Sequence, residues 1–594
     1  MTIQERIQSL RQQMKLRGID IYVIPSGDFH QSEYVGDYFK AREYITGFTG
    51  SAGTAVITQA EAGLWTDGRY FIQAEQELIG TDIVLFKCGN PGVINIEEYI
   101  EANLPENGTL AFDGRVFSAS EGQSFENLVS RKNGHILYAY DLVDLIWENR
   151  PLLPVEPIYE LDEIYTGESS ISKMRRLRDE MRILGVTSHL LAALDDIAWL
   201  FNLRGNDVAY TPVFLSFAVI TMDTVHLFVD KEKLSIEIQQ SLKHMEVQLH
   251  PYEEVYDFVF GFQYGETILL DPRSINYTLY QQLSCELNLI ERANPTVFMK
   301  SVKNEVEIAN LRKAHLKDAI AHTKFLYWLK NNYQIEEITE LSAAAKLETL
   351  RSEQEHFLCP SFAPISAYGA HAAMCHYSSC KETDVVLKDG SLYLTDTGGH
   401  YLEGSTDITR TVSLGEIKSE WKRHYTNVLR GNLALSKVKF LYGCTGENLD
   451  ILARQFLWNE GLDYKHGTGH GIGYLLSVHE GPCSIKWQYR QKPCALKKGM
   501  VLSDEPGLYI ENSHGIRLEN NLLVCEDIHN EYGQFLRFEV LTLVPFDLDA
   551  IDTSLLREDE KEMLNCYHQK VYKSISPYLN DREKAWLKQY TSAI

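Results

Sequence analysis

Apolar positions follow first a helical and then a strand period, and this pair of patterns occurs twice. Residues 6–14 carry apolar positions at helical spacing, Gly18 breaks the pattern, and residues 19–24 form an apolar run of strand length. Residues 173–181, Gly185 and residues 186–191 repeat that order. Each copy leads to a loop with an aromatic residue and glycine, residues 45–50 in the first and 200–205 in the second. Two related α/β domains in tandem are the simplest explanation. The proline-rich segment 151–157 reads as their linker, and the second copy ends near Pro295. A helical pattern from Lys303 past Lys330 opens a third region, in which short strand patterns and glycine-rich turns begin at Gly390. The last stretch, 549–594, is helical and amphipathic, with Trp586 and Tyr590 available for packing. The expected divisions are 1–155, 156–298 and 299–594, with an α/β (α+β) architecture throughout.

A chain of 594 residues exceeds what one core organises. The net charge of -25 argues against nucleic acid or an anionic membrane as partner, since both require clustered Lys and Arg. Ten cysteines are scattered without a CxxC pair. Cys375 and Cys380 are neighbours but have no matching pair, so reduced thiols are expected. The first six residues run directly into the amphipathic pattern, with no apolar core of a signal peptide. The longest apolar stretch, 213–229, contains Asp223 and His226 and predicts buried strands, not a membrane span. A cytoplasmic location is the expectation.

The third region holds the candidate chemistry. Residues 392–396 predict a buried strand ending in Asp396, Gly398 and Gly399 a turn, and residues 405–412 an alternating strand that carries Asp407. Residues 466–473 read HGTGHGIG, two histidines among four glycines that permit close backbone approach and unusual dihedrals. The segment lacks the Lys-Ser/Thr ending of a phosphate-binding loop, whereas a neutral imidazole is a good metal ligand. His479 follows in VHEGP. Glu505 stands where an apolar strand meets Pro506-Gly507, and strand periodicity puts Arg517 and Glu519 on one face. Asp396, Asp407, Glu505 and Glu519 cannot share a small site with His470 unless cations offset them. Two divalent metals do so, because carboxylates bridge a pair held about 3.5–4 Å apart. One imidazole among oxygen donors points to manganese; cobalt, zinc and iron suit the same donors.

In this order the two aspartates and the strings HGTGHGIG, VHEGP, EPG and GIRLEN resemble the pita-bread metallopeptidases, the family of methionine aminopeptidase, prolidase, creatinase and aminopeptidase P. The strings ITGFTGSAGTA (45–55), WTDGRYF (65–71), IAWLFNLRG (197–205) and LTLVP (541–545) are similar to the long, three-domain aminopeptidase P (Xaa-Pro aminopeptidase) form. That resemblance implies two creatinase-like N-terminal domains and a C-terminal pita-bread catalytic domain with a helical extension. It implies Asp396, Asp407, His470, Glu505 and Glu519 as metal ligands. It places His376, His466 and His479 on the substrate side, with Glu505 moving the proton and His479 and His376 meeting carbonyl oxygens. Arg69 and Arg517 join them as candidate substrate contacts, Arg69 reaching the site of its own chain or of a partner subunit. The implied reaction is hydrolysis of an N-terminal Xaa-Pro bond by a metal-activated water, in a peptide whose second residue is proline, by a homodimer. A prolidase, a non-enzymatic peptide-binding or histone-chaperone-like module and a creatinase-like hydrolase are the alternatives. His371, His514 and His529 are expected to be ordinary surface or loop residues.

Overall fold

The computed structural model describes residues 1–489 and 492–594. They form two units, Met1–Leu161 with Glu168–Thr296, and Asp162–Gly167 with Val297–Ile594.

The first unit contains two six-stranded sheets of one topology. One has the strand order Val84–Lys87, Ala62–Thr66, Thr54–Thr58, Ile21–Pro25, Thr109–Ala111, His135–Leu137. The other has Val247–His250, Val225–Val229, Ser216–Thr221, Ser188–Leu191, Thr267–Leu270, Asn288–Glu291. The sequence of parallel and antiparallel junctions is the same in both. The repeat in the hydrophobic pattern is therefore a repeat of structure. Its helices are Ile3–Leu16, capped by Thr2 with Glu5, and Ser170–Leu184, capped by Ser169. Each is followed by a glycine in the left-handed region, Gly18 at φ 66° and Gly185 at φ 68°, where a side chain would be strained. The apolar stretch 213–229 is a buried hairpin, as its interruptions predicted. No helix among the described residues is long and apolar enough to cross a membrane.

The second unit is built on the helix Glu305–Asn332, which Asn304 and Glu307 start with a capping box. Segment 162–167 packs with this unit, because Asn304 Nδ2 donates to the Thr166 carbonyl at 2.8 Å and Asn310 Nδ2 to the Ile164 carbonyl at 2.9 Å. A three-stranded antiparallel sheet orders Ile365–Tyr368, Ser391–Thr397 and Ile408–Leu414. A six-stranded sheet orders Lys439–Leu441, Gly533–Val540, Asn520–Asn530, Val501–Asp504, Gly469–Gly471 and Glu480–Ile485. Leu392, Tyr393, Ile408 and Val412 share one apolar core with Phe325, Leu429 and Leu564 from three helices. In the helical C-terminal stretch, Trp586 stacks on Tyr590 with centroids 4.4 Å apart and meets Tyr327 edge-on.

One local expectation needs correction. Gly399 does not merely turn the chain: Gly399–Tyr401 forms a short hairpin with Gly404–Ser405. The strand expected within 405–412 is present as Ile408–Leu414, and all of it is buried. Its polar residues are satisfied internally; Thr411 Oγ1, for example, donates to the Arg517 carbonyl at 3.0 Å and accepts from its N–H at 3.1 Å.

Candidate metal centre

Five chain segments bring the five predicted ligands together. Asp396 is the penultimate residue of Ser391–Thr397, and Asp407 immediately precedes Ile408–Leu414. Antiparallel pairing sets Asp396 opposite Thr409 and Thr397 opposite Ile408, which brings the two acids to one end of the strand pair. His470 is the middle residue of Gly469–Gly471, and Glu505 follows Val501–Asp504 directly. Gly469 and Gly471 are required by close approach. A Cβ on Gly469 would lie 2.0 Å from the Ser503 carbonyl oxygen, and one on Gly471 2.2 Å from that of Glu480. The unusual dihedrals expected there are not found, because none of the four glycines takes a positive φ. Glu519 is not in a strand with Arg517; the strand ends at Arg517 and Glu519 lies in the short link to Asn520–Asn530. The two side chains still meet a common atom, Thr409 Oγ1, which donates to Glu519 Oε2 at 2.8 Å and accepts from Arg517 Nε at 3.2 Å.

His470 Nε2 lies 3.4 Å from Glu505 Oε1 and 3.6 Å from Asp407 Oδ2. One ligand atom from each of Asp407, His470 and Glu519 falls within 4.8 Å of the others. Nδ1 of His470 sits 3.0 Å from the Gly471 carbonyl oxygen, which assigns the proton to Nδ1 and turns the Nε2 lone pair toward the acids. Asp396, Asp407 and Glu519 are buried. Desolvation, followed by the charges of Glu519, Asp396 and Glu505, pushes the Asp407 carboxyl far above its ordinary range. Burial and then Glu505 and Asp396 do the same to Glu519. Glu505 is pushed up to about 7, mainly by burial, with Arg517 opposing the shift.

Arg517 is the cation in contact with these acids, through Asp396 Oδ2. Asp396 Oδ1 and Glu519 Oε1 are buried with no hydrogen-bond partner. Two orphaned carboxylate oxygens beside a correctly turned imidazole fit divalent cations, whose charge would repay both the desolvation and the repulsion.

The shifts have a measurable consequence. In metal-free protein Asp407, Glu505 and Glu519 hold protons to higher pH folded than unfolded, so the folded state binds more protons and their contribution to stability falls as pH rises from the ordinary carboxylate range through about 7. Metal binds the ionised acids. The gain in Tm on adding divalent metal to chelator-treated protein is therefore expected to be larger near about pH 8 than near about pH 5.5. Thermal unfolding at both pH values reads this directly, and an equal or smaller gain at the higher pH would contradict it.

Among the substrate-side candidates, His479 and Arg517 contact the cluster directly, and His466 is joined to Arg517 through Tyr509. His479 packs edge-on against His470, with ring centroids 4.4 Å apart. His466 Nδ1 meets the Gly467 carbonyl at 2.7 Å and its Nε2 meets the Tyr509 hydroxyl at 2.9 Å. That hydroxyl in turn accepts from Arg517 Nη1 at 2.7 Å. His376 is half-buried just after the turn Gly369–Ala373, and Arg517 Nη1 donates to the carbonyl of its neighbour Cys375 at 3.3 Å. Arg517 is buried, and its partners in the structure are protein groups. Arg69 lies in the first unit, paired with Asp67 at 2.7 Å. Arg115 with Asp113 and Arg273 with Asp271 form the same Asp-x-Arg clamp, so Arg69's local geometry is a recurring turn.

Sequence reasoning passed over several supporting groups. Thr409 connects the ligand Glu519 to Arg517, and Tyr509 connects His466 to it. Ser503 Oγ donates to Glu505 Oε1 at 3.2 Å and accepts from His470 N at 3.0 Å. Asn521 Oδ1 accepts from the Asp407 N–H at 3.1 Å. Ser503 stands two residues before Glu505 in its strand, a period-two signal that could have found it. Two histidines expected to be ordinary are not. His514 is buried with its Nε2 3.0 Å from His424 Nδ1, and His371 contacts the buried carboxylate of Glu340. His371 lies in the turn Gly369–Ala373 and His514 opens the strand His514–Arg517, and each side chain meets a buried partner. His529 is exposed, as expected.

Comparison with known proteins identifies the family. Creatinase/Prolidase N-terminal domain models match residues 6–142 and 149–307, Metallopeptidase family M24 matches 309–526, and the C-terminal region of peptidase M24 matches 534–594. Aminopeptidase P2 of Arabidopsis thaliana is 37% identical over 98% of this chain and 88% of its own. Xaa-Pro aminopeptidase 2 of Mus musculus is 39% identical over 99% of this chain and 88% of its own. The crystal structure of X-prolyl aminopeptidase from Caenorhabditis elegans, described as a cytosolic enzyme with a di-nuclear active site, superposes with a TM-score of 0.96 at 34% identity and covers 100% of both chains. Two creatinase-type N-terminal domains, an M24 pita-bread domain carrying the acid cluster and full-length likeness to these enzymes establish that the chain belongs to the Xaa-Pro aminopeptidases, metallo-exopeptidases of family M24.

Proposed function

We propose that this chain removes the first residue from peptides with proline in second position, using two divalent metal ions, manganese in the native enzyme, held by Asp396, Asp407, His470, Glu505 and Glu519. The observation that carries this reading is the set of four closely spaced carboxylates, two with buried partnerless oxygens, facing a metal-competent imidazole. The di-nuclear active site of the Caenorhabditis elegans enzyme supports it. When bound, the metals supply Lewis acidity to a water molecule and to the scissile carbonyl.

The bond before proline is a tertiary amide with no N–H, so a site that grips an extended backbone by that hydrogen bond fails there. Here the side chains do the work. Glu505 accepts a proton from the attacking water and returns it to the prolyl nitrogen as the C–N bond breaks. His479, fixed against His470, donates to the carbonyl oxygen as it gains charge. His376 and His466 hold the peptide, and His466 is kept in one tautomer by the Gly467 carbonyl and Tyr509. Arg517 acts as a positioning residue that orients Asp396 and Tyr509. Arg69 is a substrate contact only where it leaves Asp67. The acceptor-rich cluster receives the free α-amine, which limits removal to one residue. We place the enzyme in the cytoplasm as a homodimer, without nucleic-acid or membrane partners.

The test is manganese-dependent hydrolysis of a matched set: Xaa-Pro-Yaa-Zaa, the same peptide with Ala for Pro, and the Xaa-Pro dipeptide. Release of only the first residue from the long proline peptide, abolished by chelation, is the expected result. Cleavage of the dipeptide alone would replace this reading with a prolidase.

A further inference from the structure

The loop that carries His376 is anchored outside the metal centre. His371 and Tyr377 flank His376 in the chain, and both reach one carboxylate, that of Glu340. His371 Nδ1 lies 2.9 Å from Glu340 Oε1, and the Tyr377 hydroxyl donates to Oε2 at 2.9 Å. The N–H of Tyr368, at the entrance to the loop, donates to Oε1 at 2.6 Å. Glu340 is fully buried at the first position of the helix Glu340–Ser352, and the rings of His371 and Tyr377 stack with centroids 4.7 Å apart. The opposite side of the loop has no slack. A Cβ on Gly515 would come within 1.7 Å of the Ala372 carbonyl oxygen. Glu340 is neither a proposed ligand nor part of the mechanism above, yet it is a charge buried at the cost of its hydration.

We infer that Glu340 is a positioning residue for His376: through His371 and Tyr377 it fixes the loop that presents this histidine to the peptide. The inference rests on reading His376 as a substrate-side residue. A carboxylate with three donors in a dry setting makes strong, charge-assisted hydrogen bonds, and the helix N-terminus favours its charge. Because the anchor points lie on both sides of His376, weakening either one lets the imidazole rotate away from its productive position. Misplacement by about 1 Å costs up to about a hundredfold in rate. The loss falls on the peptide, not on the metals, because no metal ligand bonds to Glu340.

A double-mutant cycle tests this. Glu340→Gln and Tyr377→Phe are made alone and with His376→Ala, and kcat, KM and bound metal are measured on the Xaa-Pro-Yaa-Zaa peptide. Each single variant is expected to lower kcat/KM about tenfold with metal content unchanged, and to lose its effect, to within about twofold, once His376 is Ala. Losses that multiply with that of His376→Ala would mean that Glu340 supports the domain generally, and would overturn the inference while leaving His376 in place. An unchanged kcat/KM in His376→Ala would instead remove the substrate-side reading and the inference with it. Should Glu340→Gln fail to fold, Tyr377→Phe, which removes only a hydroxyl, completes the cycle.

Discussion

Asp407→Ala is expected to lower kcat/KM by about four orders of magnitude or more and to lose bound metal. Asp407 interacts with every other member of the cluster: its Oδ2 is 3.6 Å from His470 Nε2, and Glu519, Asp396 and Glu505 all raise its proton affinity. A group that interacts with every other member is the one whose loss leaves no complete pair of cation sites. The same variant separates metal binding from folding. Removing one of four crowded carboxylates relieves repulsion, so the metal-free variant is expected to melt no lower than metal-free parent, although the parent is the more stable when both are loaded. Elemental analysis, turnover and thermal unfolding with and without chelator check all three. Two tightly held metals with normal turnover in the variant would sink the ligand assignment.

The largest stability loss is expected at Arg410. This guanidinium is wholly buried and has no carboxylate partner among its hydrogen bonds. It donates to the carbonyls of Thr409, Glu519, Val544 and Pro545, to Asn520 Oδ1 and to the Tyr567 hydroxyl, and it lies over the Phe546 ring at 4.3 Å. It thereby ties the strand after Asp407 and the link bearing Glu519 to the C-terminal helix. Arg410→Met keeps much of the volume but leaves buried acceptors without donors. The expected loss is about 4 kcal/mol or more, seen as earlier melting of the second unit. Arg410→Lys is expected to recover little, since one ammonium cannot reach acceptors spread around a planar fork. Equal melting temperatures for Arg410→Met and parent would contradict this role.

The sequence showed the fold wherever pattern and backbone chemistry coincide. The glycine breaks at 18 and 185 and the twice-repeated helix-strand order carry local signals, and all stand in the structure. The candidate ligands were legible only as a set, four acids and a histidine in the order that resembles the pita-bread metallopeptidases, since a single acid at a strand end reads as a turn or cap residue. Their supporting shell was not. Thr409, Tyr509 and Glu340 act across separations of tens to more than a hundred residues, as when Thr409 reaches Glu519, and no local period reports such a contact. Strand alternation at 405–412 located the strand Ile408–Leu414, although burial on both of its faces places polar residues inward as well. His371 and His514 misled because the groups that hold them, Glu340 and His424, stand 31 and 90 residues away in the chain.

The central claim, that Asp396, Asp407, His470, Glu505 and Glu519 hold a pair of metal ions, is tested most directly by anomalous diffraction from crystals of the manganese-loaded protein. Two manganese peaks about 3.5–4 Å apart, bridged by carboxylates and with His470 on only one of them, are the predicted result. A single peak, or peaks bound away from these five side chains, would contradict it.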